Sequence, residues 1–498
     1  MTEPAGLPAY AAILKGSESY WLPRLVFQRG LGLVYLIAFL VAANQWIPLL
    51  GEHGLLPARL YLKRASFRAA PSLFFWWSSD AAFRAAAWAG IILSCVVLAG
   101  LADRYTNWFS ALVWFVLWAI QLSFFHAGQT FYGFGWESML AEAGFFAIFL
   151  GARNTAPIPI TMWLLRWMEF RVMFGAGLIK LRGDPCWKQL TCLETFYETQ
   201  PMPNPLSWYF HWLPRWVLHG GVVVNHVVEL VVPFGLFAPQ PVATICGLII
   251  IGFQLVLMLG GNLSFLNLLT IVLAAPALDF RFLEKLVPIR PGLLVPAGPV
   301  LRYATIGLAM VVVALSVPVM LNLLSSRQLM NYSYNPLELV NTYGAFGSIG
   351  TERYEVIVEG TDAAALTPNA QWREYEFKGK PGDVRRRPPQ IAPYHLRLDW
   401  LMWFAAMSQY GREPWFVNFM AKLLEGDRAA LSLIARNPFP DHAPRFVRAR
   451  LYRYRFTTPE ERKQSGAWWK RELIGPYFPA VSLDTPGFRR VLEEEGWL

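Results

Sequence analysis

The sequence predicts a polytopic α-helical membrane protein of about nine spans, followed by a C-terminal extracytoplasmic α/β domain. Three observations carry this expectation. Hydrophobic residues make up 55% of the 498 and charged residues only 16%, against roughly 25% charge in an ordinary soluble chain. The apolar residues gather in runs between Trp21 and Leu324. From Ser325 onward the chain turns polar and basic and holds no run long enough to cross a bilayer. The expected organisation is an N-terminal segment 1–20, a multi-helix transmembrane domain 21–325 and a mixed α/β soluble domain 326–498.

The apolar runs fall at 25–43, 85–102, 108–126, 136–151, 160–181, 217–238, 241–259, 262–278 and 303–324. Most match the length that a helix needs to cross about 30 Å of hydrocarbon. Run 136–151 is short and holds Glu137 and Glu142, which fits a tilted, re-entrant or non-spanning helix. The first 20 residues hold no compact apolar stretch with a cleavage site, so no removable leader is expected. Nine spans and a cytoplasmic N-terminus would put the C-terminal domain outside. Loop charge does not decide the orientation, because 44–84 contains Arg59, Lys63, Arg64, Arg68 and Arg84. An amphipathic helix lying on the membrane would account for that cluster.

The segment 166–181 places Arg166, Glu169, Arg171 and Lys180 within a run apolar enough to cross a membrane. A charge at the bilayer centre costs at least about 2.5 kcal/mol, so each needs a protein interior, a partner or a chemical role. At 100° per residue Glu169 and Lys180 lie about 20° apart, with Arg166 about 60° from Glu169; Arg171 points away. Glu169 and Lys180 are about 16 Å apart along the axis, too far to pair directly. Other helices must answer them, and Arg166 is the one partner within reach of Glu169 on its own helix. Glu137 and Glu142, about 140° apart, are expected to meet charges among Arg166, Arg171 and Lys180. His226 and Glu229, at i and i+3 with Asn225 beside them, share a face. Two ligands without a third point to a buried hydrogen-bond network, and no metal is predicted. Lys180 itself either snorkels to the interface or pairs inside the bundle.

Cys95 and Cys246 sit mid-span and read as small buried hydrophobes. Cys186 and Cys192 lie in the polar loop after Lys180. Without a histidine or a second cysteine pair nearby, zinc is disfavoured. A disulfide is the leading expectation, since nine spans put this loop in an oxidising compartment; a redox-active pair and free thiols are the alternatives.

Beyond the membrane region, 354–359 and 394–399 alternate with period two, 371–377 is strand-like, and 400–407 and 415–424 look helical. The run 448–456 reads as a strand with Arg448 and Arg450 beside Tyr452, Tyr454 and Phe456. It is either a solvated edge strand or a face for anionic headgroups or a client protein. The net charge of +10 is not read as nucleic-acid binding beside a membrane. No Gly-x-Ser-x-Gly and no phosphate-cradling loop occurs; Gly344 to Gly350 lacks the lysine and helix start that such a loop requires.

The loop 183–214, with Cys186, Trp187, Cys192, Tyr197, Gln200, Pro203, Pro205, Trp208, His211 and Pro214, closely resembles the lipase maturation factor family. The resemblance extends to Phe134-Gly135-Trp136-Glu137, Glu142-Ala143-Gly144, His226-Val227-Val228-Glu229 and Gly261-Asn262-Leu263-Ser264-Phe265. It continues through Asn341-Thr342-Tyr343 and 389–400. It implies a multi-pass membrane protein that helps exported clients, notably lipases, reach a folded and assembled state, with membrane lipids as its other partners and no cofactor. In eukaryotes such a protein works in the endoplasmic reticulum membrane; the Ala-, Arg- and Trp-rich usage here points to a bacterial inner membrane. Trp187, Tyr197, Pro203, Trp208, Arg448 and Arg450 would then belong to the client surface. The segment Ala176-Gly177-Leu178-Ile179-Lys180-Leu181 is more distantly similar to the part of vitamin K-dependent gamma-carboxylases that carries their catalytic lysine. That similarity implies Lys180 as a base, although 182–186 intervene before Trp187.

Overall fold

The computed structural model describes residues 18–497; of the expected segment 1–20, residues 1–17 lie outside them. Every apolar run lies on a helix: α1 (Trp21–Leu50), α2 (Asp80–Leu98), α3 (Asn107–Ala127), α4 (Gly135–Ala147), α5 (Pro159–Arg182), α6 (Arg215–Leu230), α7 (Val242–Gly260), α8 (Leu266–Ala274) and α9 (Pro299–Leu324). Local signals set several starts. Ser79 accepts from Ala82 N to cap α2, and Thr106 accepts from Phe109 N to cap α3. Prolines open α5 and α9, where a missing N–H costs nothing.

Among the described residues six helices are long and apolar enough to cross a membrane: α1, α2, α3, α6 with the turn extending it to Phe237, α7 and α9. Nine apolar runs therefore do not give nine helices of that kind. α4 has 13 residues, about 20 Å at 1.5 Å per residue, and α8 has nine. α5 is long enough at 24 residues but carries the charges that lower its hydropathy. α9 leaves Val313 and Val317 67% and 57% exposed, as a lipid-facing helix should. Cys95 is also exposed, on α2, rather than buried as expected.

Successive helices run alternately between the two ends of the bundle. At one end Arg24 of α1 donates to Leu150 O and Thr155 O, Arg29 pairs with Asp103 after α2 at 2.7 Å, and Asn107 of α3 accepts from Ala152 N. At the other end Gln45 of α1 donates to His395 O at 2.6 Å and accepts from Arg397 N at 3.0 Å. Asp80, opening α2, accepts from Glu52 N, and Asn262, just past α7, donates to Pro389 O at 2.9 Å.

The C-terminal part caps that second end. Strands β1 (Arg353–Thr361), β2 (Arg373–Glu374), β3 (Glu376–Phe377), β4 (Ile434–Arg436), β5 (Phe446–Phe456) and β6 (Trp469–Val481) form an antiparallel sheet of order β2-β1-β5-β6 and a separate β3-β4 pair. β5 is interior, so the edge-strand reading of 448–456 is corrected: β1 pairs with one side of it and β6 with the other. Residues 394–399 are not a strand either. α10 (Arg397–Ala405) begins inside them, because 395–399 are buried on every side and alternation there marks no solvent face. α10 and α11 (Pro414–Glu425) pack between sheet and bundle, and Asn418 donates to Leu55 O at 3.0 Å. One continuous hydrophobic core joins α1 to α4 with Trp400, Phe416, Phe419 and Phe478 of this C-terminal part.

Candidate functional site

The cations Arg166, Arg171 and Lys180 of α5 are each answered from a different direction. Arg171 makes a bidentate pair with Glu142 of α4, both side chains fully buried. The segment after α9 seals this pair: Asn341 N and Tyr343 Oη donate to Glu142 Oε2 at 3.0 and 2.7 Å, and Arg171 donates to Asn341 O at 2.7 Å. That segment can lie so close because glycines in α5 and just past its end face it. A Cβ on Gly175 would stand 2.4 Å from Tyr343 O, and one on Gly183 2.0 Å from Gly347 O. Glu338 stands beside the pair, and burial, reinforced by the Glu142 charge, raises its pKa to about 8.

Lys180 is held in a second cluster. Its ammonium lies 2.5 Å from Glu229 and 3.2 Å from Asn225 Oδ1, and Asn225 Nδ2 donates to Glu229 Oε2 at 2.9 Å. The Trp187 ring covers it at 5.1 Å, and Trp187 Nε1 donates to Phe346 O. His226 bonds to Trp187 O at 3.0 Å rather than joining Glu229. The snorkelling reading does not describe this lysine, which is buried and ion-paired.

Arg166 and Glu169 do not pair, contrary to the expectation from their spacing. Arg166 turns to the carbonyls of Pro276 and Leu236 at 3.0 and 3.1 Å, between the rings of Tyr20 and Trp163. Two helix-end carbonyls satisfy a guanidinium without a second buried charge. Glu169 is fully buried, and its carboxyl oxygens have no hydrogen-bond partner among the described residues. Glu137 reaches none of the α5 charges. It pairs with Arg397 of α10 at 2.6 Å and accepts from Gln121 at 2.8 Å, while Arg397 lies over the Tyr132 ring.

The loop after α5 is a brace between bundle and C-terminal part. Cys186 and Cys192 are joined in a disulfide. Gln200, Asn204 and Ser207 tie the loop to carbonyls ending α7. Arg353 of β1 donates to Glu198 O, Gln200 O and Pro201 O, and with Lys380 it encloses the buried Glu355. Trp208 Nε1 donates to Thr457 O at 2.8 Å. Trp187, Pro203 and Trp208 are buried here and Tyr197 is half-buried, so this chain covers most of the surface expected to meet a client. The aromatic and proline content that suggests a sticky surface is used for internal packing. Arg448 pairs with Glu359 at 2.6 Å and stacks on Trp372, and Arg450 lies 3.6 Å from the same carboxylate. Sequence reasoning missed Arg353, Glu355 and Lys380, whose charges sit in a region that reads as solvated. It also missed Asn341 and Tyr343 as partners of Glu142, although both lie in a motif that carried the family resemblance.

His395 is enclosed at the same junction by the rings of Phe134, Trp136 and Trp400, with centroids 5.1, 5.3 and 5.5 Å away. Neither ring nitrogen has a partner among the described residues. Burial, with Arg397 adding to it, holds its pKa well below the usual value.

Two predictions follow from these clusters. Arg171→Met should cost about 3–5 kcal/mol, the scale for removing half of a buried ion pair, and Arg171→Met with Glu142→Gln should recover more than half of that; denaturation of the purified protein in detergent measures both. His395 is neutral in the folded state, so its contribution is complete above the unfolded pKa near 6.5 and is lost as pH falls below it. Relative to His395→Phe, the wild type should lose about 1.4 kcal/mol of stability between pH 7.5 and 5.5. A stability gap that is independent of pH would contradict the neutral, enclosed imidazole.

The chain matches the lipase maturation factor transmembrane domain over residues 22–285 and the lipase maturation factor C-terminal domain over 339–479. It is 44% identical to lipase maturation factor 1 of Bos taurus, across 96% of this chain and 93% of that one. It is 43% identical to lipase maturation factor 1 of Homo sapiens, across 99% and 93%. To lipase maturation factor 2 of Xenopus laevis it is 28% identical, across 95% and 84%. No solved structure matches the chain. With both domain models matched in order and the relatives aligned nearly end to end, this protein belongs to the lipase maturation factor family.

Proposed function

We propose that this chain is a membrane-bound maturation factor that assists the folding and assembly of exported proteins, lipases among them. The observation that carries the reading is the match to both family domains, which includes the C-terminal part as well as the membrane helices. The carboxylase-like alternative needs Lys180 as a free amine base. Lys180 is instead engaged by Glu229 at 2.5 Å and by Asn225 at 3.2 Å, a tie between two helices rather than a free side chain facing a substrate. In the reading proposed here Lys180 fixes α5 against α6.

We further infer nine membrane crossings, with the short helices α4 and α8 and the charged α5 inserted among the six apolar ones. The alternation of helix ends supports this, since an odd number of crossings separates the start of α1 from the C-terminal part. The disulfide lies at the end of the bundle that bears that part, which favours an oxidising, extracytoplasmic compartment. The same sidedness fits a bacterial inner membrane or the endoplasmic reticulum. The client surface then comprises exposed residues of the C-terminal part, because the 185–214 loop is consumed as a brace.

Cells lacking their own maturation factor should secrete active lipase when given this chain; no restoration with a well-expressed, folded protein would overturn the reading. Lys180→Met should lower the melting temperature and the restored lipase activity together, by stranding Glu229. A variant that melts like the wild type yet restores nothing would favour the enzyme instead. A reporter fused after Leu498 should be active only outside the cytoplasm; a cytoplasmic signal would remove the nine-crossing topology.

A further inference from the structure

Arg387 and Arg462 both lie over one indole ring, that of Trp468, at 5.2 and 3.5 Å from its centroid. Arg462 also lies over the rings of Trp208 and Tyr209 at 4.6 and 5.6 Å. Neither guanidinium has a carboxylate partner among the described residues. Arg387 donates to Pro205 O at 3.0 Å, and Arg462 only to Tyr209 Oη at 3.5 Å. Glu461, adjacent in sequence, is taken by Arg455 and Lys470, and the exposed Lys463 has no ion-pair partner among the described residues either. Arg353, Arg386, Arg448, Arg453 and Arg471 of the same C-terminal part each meet a glutamate, whereas Arg387 and Arg462 share a ring instead. Two like charges gathered on one ring repel each other. Cation–π attraction offsets only part of this, and most of their N–H donors are left unused.

The position of the pair decides what would use them. Tyr209, Trp212, Leu213 and Trp216 are 45%, 40%, 37% and 77% exposed, and the apolar span Arg215–Phe237 begins among them. Aromatic side chains exposed at the mouth of a span mark the boundary between water and hydrocarbon. The two arginines therefore stand at headgroup depth, beside apolar side chains able to contact acyl chains. Guanidinium N–H groups match phosphate oxygens in geometry and charge.

We propose that Arg387 and Arg462, stacked on Trp468, bind the phosphate of an anionic phospholipid and so fasten the C-terminal part to the leaflet beside α6. The site concerns lipid rather than client and stands independently of the maturation reading. A soluble phosphate would use the same donors but would leave Trp212, Leu213 and Trp216 uncovered, so the lipid is the ligand assigned.

The test is native mass spectrometry of the full-length protein released from nanodiscs of mixed phosphatidylglycerol and phosphatidylcholine. The wild type should keep phosphatidylglycerol with a preference of about tenfold, and Arg387→Gln/Arg462→Gln should lose that preference while its melting temperature in pure phosphatidylcholine stays unchanged. Equal retention by wild type and variant would overturn the site. Displacement of the lipid by millimolar inorganic phosphate would overturn the lipid assignment in favour of a soluble anion. If the double variant does not fold, the wild type alone decides: phosphatidylglycerol should raise its melting temperature relative to phosphatidylcholine whereas inorganic phosphate should not, and the absence of that difference overturns the proposal.

Discussion

The structure depends on the need to answer charges buried in α5. A helix that carries Arg166, Arg171 and Lys180 into an apolar bundle cannot be packed by apolar contact alone. An unpaired buried charge costs several kcal/mol, more than most single packing contacts return. Each cation therefore fixes a neighbour. Arg171 requires Glu142 of α4, Lys180 requires Glu229 and Asn225 of α6, and Arg166 requires the carbonyl ends of the helices that close at Leu236 and Pro276. Because the partners lie on different helices, satisfying them sets the rotation of α5 and the positions of its neighbours together.

The same logic carries beyond the bundle. Glu142 is completed by Asn341 and Tyr343, which follow the last helix, and Glu137 is completed by Arg397 of α10. Two acids on the short helix α4 thus reach in opposite directions, one to α5 and one to the C-terminal part. Arg353 then clasps carbonyls of the same 183–214 loop, past the Cys186–Cys192 disulfide that it also carries. The C-terminal part is consequently not a tethered module. It shares one hydrophobic core with α1 to α4, and its charges complete those of the membrane helices. A protein that assists folding partners gains from such a mount, since a surface held still loses less conformational entropy on binding.

This also explains why the aromatic loop is mostly unavailable. Trp187 covers Lys180, and Trp208 bonds to Thr457; both indoles serve internal charges or carbonyls. Among the side chains still exposed near the loop are Tyr209, Trp212, Leu213 and Trp216, at the mouth of a span, where an apolar body with a polar tip, as in the aromatic ones, suits the bilayer boundary.

The sequence by itself determined where helices form, because apolar runs of membrane length leave a backbone no alternative to satisfying its own hydrogen bonds. It also determined that Glu169 and Lys180 could not answer each other, since a rise of 1.5 Å per residue puts them about 16 Å apart. It left Arg166 within reach of Glu169, and in the structure Arg166 turns instead to Pro276 O and Leu236 O. The strands 354–359 and 448–456 were readable from period-two alternation, whereas 394–399 misled because a segment buried all round shows no polar face. Only the tertiary structure decided the partners. Glu142 chose Arg171 and Glu137 chose Arg397, although the chain offers each acid several cations. The interiority of β5 and the burial of Trp187, Pro203 and Trp208 were likewise decided there. Spacing along a chain fixes which residues share a face. Which face meets which is set by helix packing and by a segment arriving some 170 residues later from Arg171 to Asn341, and no local period encodes that meeting.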